Sequence, residues 1–152
     1  MLARRLPVWL VERFAALDGP PPAGSASGER DQLGPWGERA AARHLRRLGY
    51  RVLGRNLRVP MGEADLLCVA PDRETVVLVE VKSRRINASG LHQPPPEASV
   101  HAQKRSKLIS ILRHLAAANG WHDRPLRIDA VAVEVCGERV EEIRHHQGVV
   151  RP

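Results

Sequence analysis

Beyond residue 33, the hydrophobic residues of the chain recur at helical spacing in some stretches and at strand spacing in others. Helical spacing predicts one helix over 35–50 and a second over 99–120, with Gly49 and Gly120 as candidate C-terminal caps. Apolar runs separated by turn residues predict five strands. They cover 50–59, 63–70, 75–85, 126–136 and, as a short final strand, 139–148. The predicted order is α-β-β-β-α-β-β, an α/β fold with a mixed β-sheet flanked by helices.

The N-terminal 28 residues follow a different pattern. Apolar positions at helical spacing predict an amphipathic helix within 6–17, and the stretch "DGPPPAGSASGE" that follows predicts a flexible linker. The chain therefore divides into an N-terminal helix with its linker, 1–28, and a folded domain, 29–152. Docking of the helix on the domain is favoured, while docking on a partner protein or an anionic membrane surface is left open. Charged residues interrupt the apolar run after Val11, so neither a secretion signal nor stable membrane insertion is predicted.

The strand "VVLVEVKSRR" carries charge where a buried strand is expected to be apolar. Successive strand residues point to opposite faces, so Glu80 and Lys82 share one face. A turn centred between Asp72 and Arg73 sets the register of the preceding hairpin. Asp65 and Glu80 lie equally far from this centre, so their carboxylates are expected to face each other.

Two facing carboxylates repel each other. A divalent cation between them offsets this repulsion, because both carboxylates become its ligands. Mg²⁺ prefers such oxygen ligands and keeps waters that a substrate phosphate can replace. The alternative is an ordinary ion pair between Glu80 and Lys82, with Asp65 capping the turn after Gly62. The metal site is the favoured interpretation, because all three residues occur together in hairpin register.

The charge of the chain adds a class of partner to this picture. The 152 residues include 24 Lys and Arg against 17 Asp and Glu, a formal net charge of +7. A basic domain of this kind typically binds a polyanion, either nucleic acid or anionic lipid. The alternative is a basic surface that is only solvated. The two cysteines, Cys68 and Cys136, lie in apolar runs without metal-ligand spacing, which fits a reducing cytoplasm.

Four motifs in order resemble the YraN family of bacterial proteins. They are "GERAAARHLRRLGYRVLGRNLR", "GEADLLCVAPDRETVVLVEVKSRR", "VHAQKRSKLISILRHLA" and "RIDAVAVEV". The spacing "GEADLL…VLVEVKSR" also resembles the PD-(D/E)XK superfamily, the restriction-endonuclease-like fold shared by restriction endonucleases and Holliday-junction resolvases. The resemblance runs from about Gly34 to Val135, and Ala64 and Ile128 stand where bulkier or aromatic residues are usual.

This resemblance implies an endonuclease that hydrolyses phosphodiester bonds in DNA, including branched or flapped DNA, with Mg²⁺ or Mn²⁺. It implies that Asp65 and Glu80 bind the metal and that Lys82 orients or deprotonates the attacking water. Glu38 matches an acidic residue that completes the catalytic set, and Glu63 matches the glutamate of a "GE-x-D" signature. The predicted nucleic-acid-binding residues are Arg84, Arg85, Lys104 and Lys107.

Two other functions are left open by the sequence. One is a nucleic-acid-binding module that has the nuclease fold but little activity of its own and acts through a partner. The other is an interaction protein in which the N-terminal helix is the functional part. DNA is the predicted partner, a homodimer is left open, and the cytoplasm is the expected location.

Overall fold

A computed structural model describes residues 29–86, 102–150 and 152, so the predicted N-terminal helix and most of the segment between the third predicted strand and the second predicted helix lie outside the described residues. The described part contains two helices, α1 (Glu29–Arg47) and α2 (Ala102–Ala118). Its five strands are β1 (Arg51–Val59), β2 (Gly62–Val69), β3 (Val76–Arg85), β4 (Leu126–Cys136) and β5 (Arg139–Val150). The predicted order α-β-β-β-α-β-β is confirmed.

The five strands form one mixed sheet in the order β1-β2-β3-β4-β5. Neighbouring strands are antiparallel except β3 and β4, which are parallel and are joined through α2. Helix α1 covers one face of the sheet, over a core that includes Leu45, Leu66 and Val79. Helix α2 covers the other face, over a core that includes Leu78 and Leu112. Neither described helix is long and apolar enough to cross a membrane.

Glycines end both helices as predicted. Gly49 has φ 86° and Gly120 has φ 67°, in the left-handed region that favours glycine. After α1, Tyr50 N donates to Leu45 O at 3.0 Å and Gly49 N donates to Arg46 O at 3.0 Å. These two bonds form a Schellman motif, which satisfies carbonyls at the helix end and turns the chain into β1.

The hairpin of β2 and β3 has the predicted register, and this register places the central strands relative to each other. Leu66 pairs with Val79, and the pairing continues to Val69 and Val76. Asp72 holds the turn by accepting hydrogen bonds from Glu74 N at 2.8 Å and Thr75 N at 2.9 Å. Asp65 and Glu80, which the sequence predicts to face each other, come one position beyond the pair of Leu66 and Val79.

The two central strands separate immediately beyond Leu66 and Val79. From there β2 remains paired with β1 as far as Gly62, while β3 remains paired with β4 as far as Arg85. We call this opening between β2 and β3, which begins at Asp65 and Glu80, the fork. At the fork, the ends of β2 and β3 lie beside each other without backbone pairing.

Two predicted boundaries are wrong. Helix α1 begins at Glu29 and runs through Pro35, where the sequence pattern placed its start. The final strand is 12 residues long rather than short. Its pairing with β4 shifts between Ile128 and Ala130, and Gly148 adopts φ 64° within that shift. This bulge lets the strand continue to Val150, which is buried in the core.

Both cysteines are free thiols. Cys68 is fully buried, and burial raises the pKa of its thiol to about 12. It therefore stays protonated and behaves as a small core side chain.

Candidate functional site

Asp65 lies at the point where β2 leaves β3. Its Oδ2 accepts a hydrogen bond from Val81 N at 2.7 Å, so the carboxylate reaches across the fork to the neighbouring strand. The residue opposite Asp65 on β1 is Asn56, which has φ 51° between the regular pairs at Arg55 and Leu57. Asparagine tolerates this left-handed conformation better than most residues.

Glu80 faces the fork from β3 and is 7% exposed. Its Oε1 accepts hydrogen bonds from two ammonium groups, Lys82 Nζ at 2.9 Å and Lys104 Nζ. Lys82 lies on the same face of β3, as predicted from the strand period, and Lys104 comes from the first turn of α2. Burial acts to raise the pKa of Glu80, but the bonds from Lys104 and Lys82 outweigh it and lower the pKa.

The carboxyl of Asp65 responds in the opposite direction. Burial, followed by the negative charge of Glu80, raises the pKa of Asp65 to about 6, against the lowering effect of the Val81 N–H. The charge of Glu38 raises the pKa further, and that of Lys82 lowers it. A cation that binds beside such a carboxyl stabilises its ionised form and lowers its pKa.

The oxygen donors of the fork fit a hard divalent cation. Within residues 29–86 and 102–150, no group of three or more His, Cys, Asp or Glu side chains is arranged to hold a metal ion. Mg²⁺ needs no such cage in an enzyme that acts on phosphates, because one or two carboxylates suffice when water and substrate phosphate supply the other ligands. Asp65 and Glu80 supply that pair.

Glu38 reaches the same region from α1. The side chain of Asn56 hydrogen-bonds to it, and burial raises the pKa of Glu38 above its usual value. The helix approaches β3 closely at the preceding residue, because a Cβ on Gly37 would lie 1.7 Å from Ser83 Oγ. Sequence analysis did not identify Asn56, and the only signal was an asparagine inside an otherwise strand-like run.

The four predicted nucleic-acid-binding residues have different surroundings. Arg84 pairs with Glu134 on β4 at 2.6 Å, and Lys104 pairs with Glu80. Arg85 is exposed and donates to Gly137 O at 3.5 Å. Exposed Lys107 lies over Gly62, where an added Cβ would come within 2.3 Å of Lys107 Cε. Lys104 and Lys107 therefore border the fork, whereas Arg84 is tied to the neighbouring strand.

Glu63 is also separate from the fork carboxylates. It is exposed and pairs with Arg58 on β1 at 3.0 Å. This contact is typical of a surface ion pair, which contributes little to stability. The structure thus gives Glu63 a partner outside the set formed by Asp65, Glu80 and Lys82.

A second polar cluster lies on the α1 face of the sheet, and we call it the Asp129 network. Asp129 is fully buried and accepts hydrogen bonds from Arg127 Nε at 2.8 Å, His145 Nε2 at 2.8 Å and Gly148 N at 2.9 Å. Burial acts to raise the pKa of Asp129, but the bonds from His145 and Arg127 outweigh it and lower the pKa. Tyr50 closes the network by accepting a hydrogen bond from Arg127 Nη2 at 2.7 Å.

Comparison with known proteins places these residues within one family pattern. The protein-family model described as "Uncharacterised protein family UPF0102" matches residues 37–133, a range that contains all the fork residues named above. A UPF0102 protein of Beutenbergia cavernae is 39% identical over 120 residues, covering 79% of this chain and 97% of that protein. UPF0102 proteins of Syntrophotalea carbinolica and Mycobacterium avium are 35% and 37% identical over 120 residues, covering 79% of this chain and 92% and 91% of theirs.

Proposed function

Because the chain belongs to the uncharacterised protein family UPF0102, which confirms the YraN resemblance but whose name assigns no activity, we propose a function from the chemistry of the fork. We propose a metal-dependent nuclease that hydrolyses phosphodiester bonds in DNA. The observation that carries this proposal is the meeting of two carboxylates, buried Glu80 and partly buried Asp65, with the ammonium of Lys82 on the Glu80 oxygen. An acid pair of this kind beside a lysine suits phosphoryl chemistry.

In this proposal each residue of the fork has a separate task. Asp65 and Glu80 would hold Mg²⁺ or Mn²⁺, which when bound would polarise the scissile phosphate and lower the pKa of a water. Lys82 would orient the attacking water and stabilise negative charge on the phosphoryl oxygens. Glu38, held by Asn56 at the α1 side of the fork, would complete the acidic set.

Arg85 and Lys107 would hold the nucleic acid through its phosphates. Both are exposed, and Lys107 borders the fork. Electrostatic binding of this kind is sensitive to salt: with about six phosphate contacts, affinity would fall roughly 10³-fold between 50 and 200 mM salt. Charge reversal at Lys107 should weaken binding to all DNA sequences alike, and binding that is flat with salt would contradict this surface.

Cleavage assays test the proposal directly. The purified chain is incubated with labelled duplex, single-stranded, flapped and four-way DNA, with Mg²⁺, with Mn²⁺ or with EDTA. Metal-dependent cleavage of at least one substrate is expected. Asp65→Asn and Glu80→Gln should abolish it, because each removes a metal ligand, and even residues that only support ligands contribute about 10–100-fold.

Two further variants make the assay specific. Lys82→Met should retain DNA binding and lose cleavage, since it keeps the carboxylate pair but removes the ammonium. Asp123→Asn, at an exposed aspartate between α2 and β4, should cleave like the wild type. If the wild type cleaves none of the substrates with either metal but binds DNA, the chain is a nucleic-acid-binding module instead.

A further inference from the structure

We propose that Lys104 competes with the metal for Glu80, and that metal binding releases the Lys104 ammonium from Glu80 to the phosphates of nucleic acid. Lys104 would then be a positioning residue that couples metal binding to nucleic-acid binding. The inference rests on the proposed metal site at Asp65 and Glu80, and it adds a role that the carboxylates alone do not supply.

One oxygen atom of Glu80 is crowded by two ammonium groups. Both Lys82 Nζ and Lys104 Nζ donate to Glu80 Oε1, which has two lone pairs. With Asp65, Glu80 and Glu38 ionised, the fork carries three negative charges, and the two ammonium groups already offset two of them. A divalent cation that enters beside both ammonium groups would create a local excess of positive charge in a buried place. One ammonium group therefore has to leave Glu80.

Lys104 is the ammonium group that leaves Glu80. Lys82 comes from the same strand as Glu80, two residues away, so its ammonium stays near that carboxylate even without a direct bond. Lys104 arrives from another element, at the first turn of α2, and its side chain is 35% exposed. A flexible four-carbon stem lets this ammonium swing outward without any change in the sheet.

The released ammonium would lie beside a second lysine of α2. Residues three apart on a helix lie on the same side, so Lys104 and Lys107 are neighbours along α2. Lys107 already lies over Gly62 at the open end of the fork. A phosphate group drawn to the metal would meet both lysines there. Because coupling between two ligands is reciprocal, nucleic acid should also tighten metal binding.

Titration of Mn²⁺ into the metal-free chain, followed by calorimetry without nucleic acid, tests this inference apart from catalysis. Lys104→Met removes the ammonium and keeps a stem of similar length. Since a competitor lowers the fraction of sites that can bind, this variant should bind Mn²⁺ about tenfold more tightly than the wild type. Arg105→Met removes the same charge from an exposed neighbour and should leave the affinity within about twofold.

A second measurement follows the coupling itself. Anisotropy of a labelled duplex, read immediately after mixing, gives DNA affinity with Mn²⁺ and with EDTA. The wild type should gain more affinity from Mn²⁺ than Lys104→Met does. Circular dichroism checks that each variant is folded, and Lys104→Gln takes the place of the methionine variant if that one unfolds.

The outcomes separate this inference from the proposed function. Equal or weaker Mn²⁺ binding by the folded Lys104 variants, with normal binding by the wild type, overturns the inference alone. Loss of Mn²⁺ binding in every protein, including the wild type, overturns the metal site and the inference with it. Tighter binding by both Lys104→Met and Arg105→Met also overturns the inference, because it would reflect net charge alone.

Discussion

Asp65 and Asp129 are both largely buried on strands of one sheet, yet their carboxylates have opposite surroundings. Asp129 accepts hydrogen bonds from a guanidinium, an imidazole and a backbone N–H, and its pKa is lowered. Asp65 accepts a hydrogen bond from Val81 N but faces the charge of Glu80, and its pKa rises to about 6. The Asp129 carboxylate is stabilised as an anion by its partners, whereas ionisation of Asp65 costs free energy.

The difference shows how to tell a structural charge from a functional one in this chain. The Asp129 carboxylate has its donors in place and stabilises the fold as an anion. The Asp65 carboxylate, beside the charge of Glu80, is ionised at a cost until a cation arrives, and groups with such raised pKa values concentrate at functional sites. On this basis the Asp129 network is structural, and the fork is the candidate site. Three substitutions test the contrast.

Asp129→Ala is expected to have the largest effect on stability. It leaves Arg127 without its carboxylate partner and Gly148 N without its acceptor, and breaking a buried pair in this way costs about 3–5 kcal/mol. Urea unfolding followed by tryptophan fluorescence measures the loss. Asp123→Ala, at an exposed position, should change stability by less than about 0.5 kcal/mol. A loss below about 1 kcal/mol at Asp129 would remove the basis of the comparison.

Asp65→Asn is expected to change stability in the other direction. The pKa of about 6 in the folded chain lies above the ordinary value of 3.8, so ionisation of Asp65 costs stability as the pH rises between these values. The asparagine keeps an acceptor for Val81 N and removes this cost. Without metal, the variant should therefore be more stable by up to about 3 kcal/mol at pH 8, and by much less near pH 4.

Glu80→Gln is the matched control for this pH dependence. Lys104 and Lys82 lower the pKa of Glu80, so its charge stabilises the fold above the ordinary pKa of 4.5 and loses that effect as the pH falls. The glutamine variant should therefore be less stable than the wild type at pH 8, with a smaller difference in acid. Urea titrations at both pH values measure both variants. Equal effects of Asp65→Asn and Glu80→Gln would contradict the separation of their roles.

Gly37→Ala tests the close contact that brings Glu38 to the fork. The new Cβ would lie 1.7 Å from Ser83 Oγ and 2.7 Å from Ser83 Cβ, so the helix has to shift, at a cost of about 1–3 kcal/mol. Adding Ser83→Gly removes both atoms and should recover most of that loss. Gly34→Ala is the control on the same helix. Apart from the backbone of its own helix and its chain neighbours, no described atom lies within 4 Å of its added Cβ, and it should gain about 0.5–1 kcal/mol from helix propensity.

The sequence predicted the parts of this molecule that depend on local spacing. Strand period and turn position were enough for the element order, the helix caps at Gly49 and Gly120, and the hairpin register, which ends one pair short of Asp65 and Glu80. Contacts between distant segments could not be predicted in the same way. No local pattern shows that Asn56 bonds to Glu38, or that Arg84 lies beside Glu134 on a parallel strand. The roles of Asp65, Glu80, Lys82 and Glu38 stay predictions until cleavage and metal binding are measured.

The fork also has a mechanical consequence. Beyond Leu66 and Val79, β2 is bonded to β1 and β3 to β4, so no ladder fixes the width of the gap between the two carboxylates. Asp65 belongs to a two-stranded ribbon, and Glu80 belongs to the rest of the sheet. Backbone amides of that ribbon should exchange with deuterium faster than those of β3 and β4, as a separate cooperative unit. A cation bound by both carboxylates would link the ribbon to the rest of the sheet, and its binding should slow deuterium exchange in the ribbon.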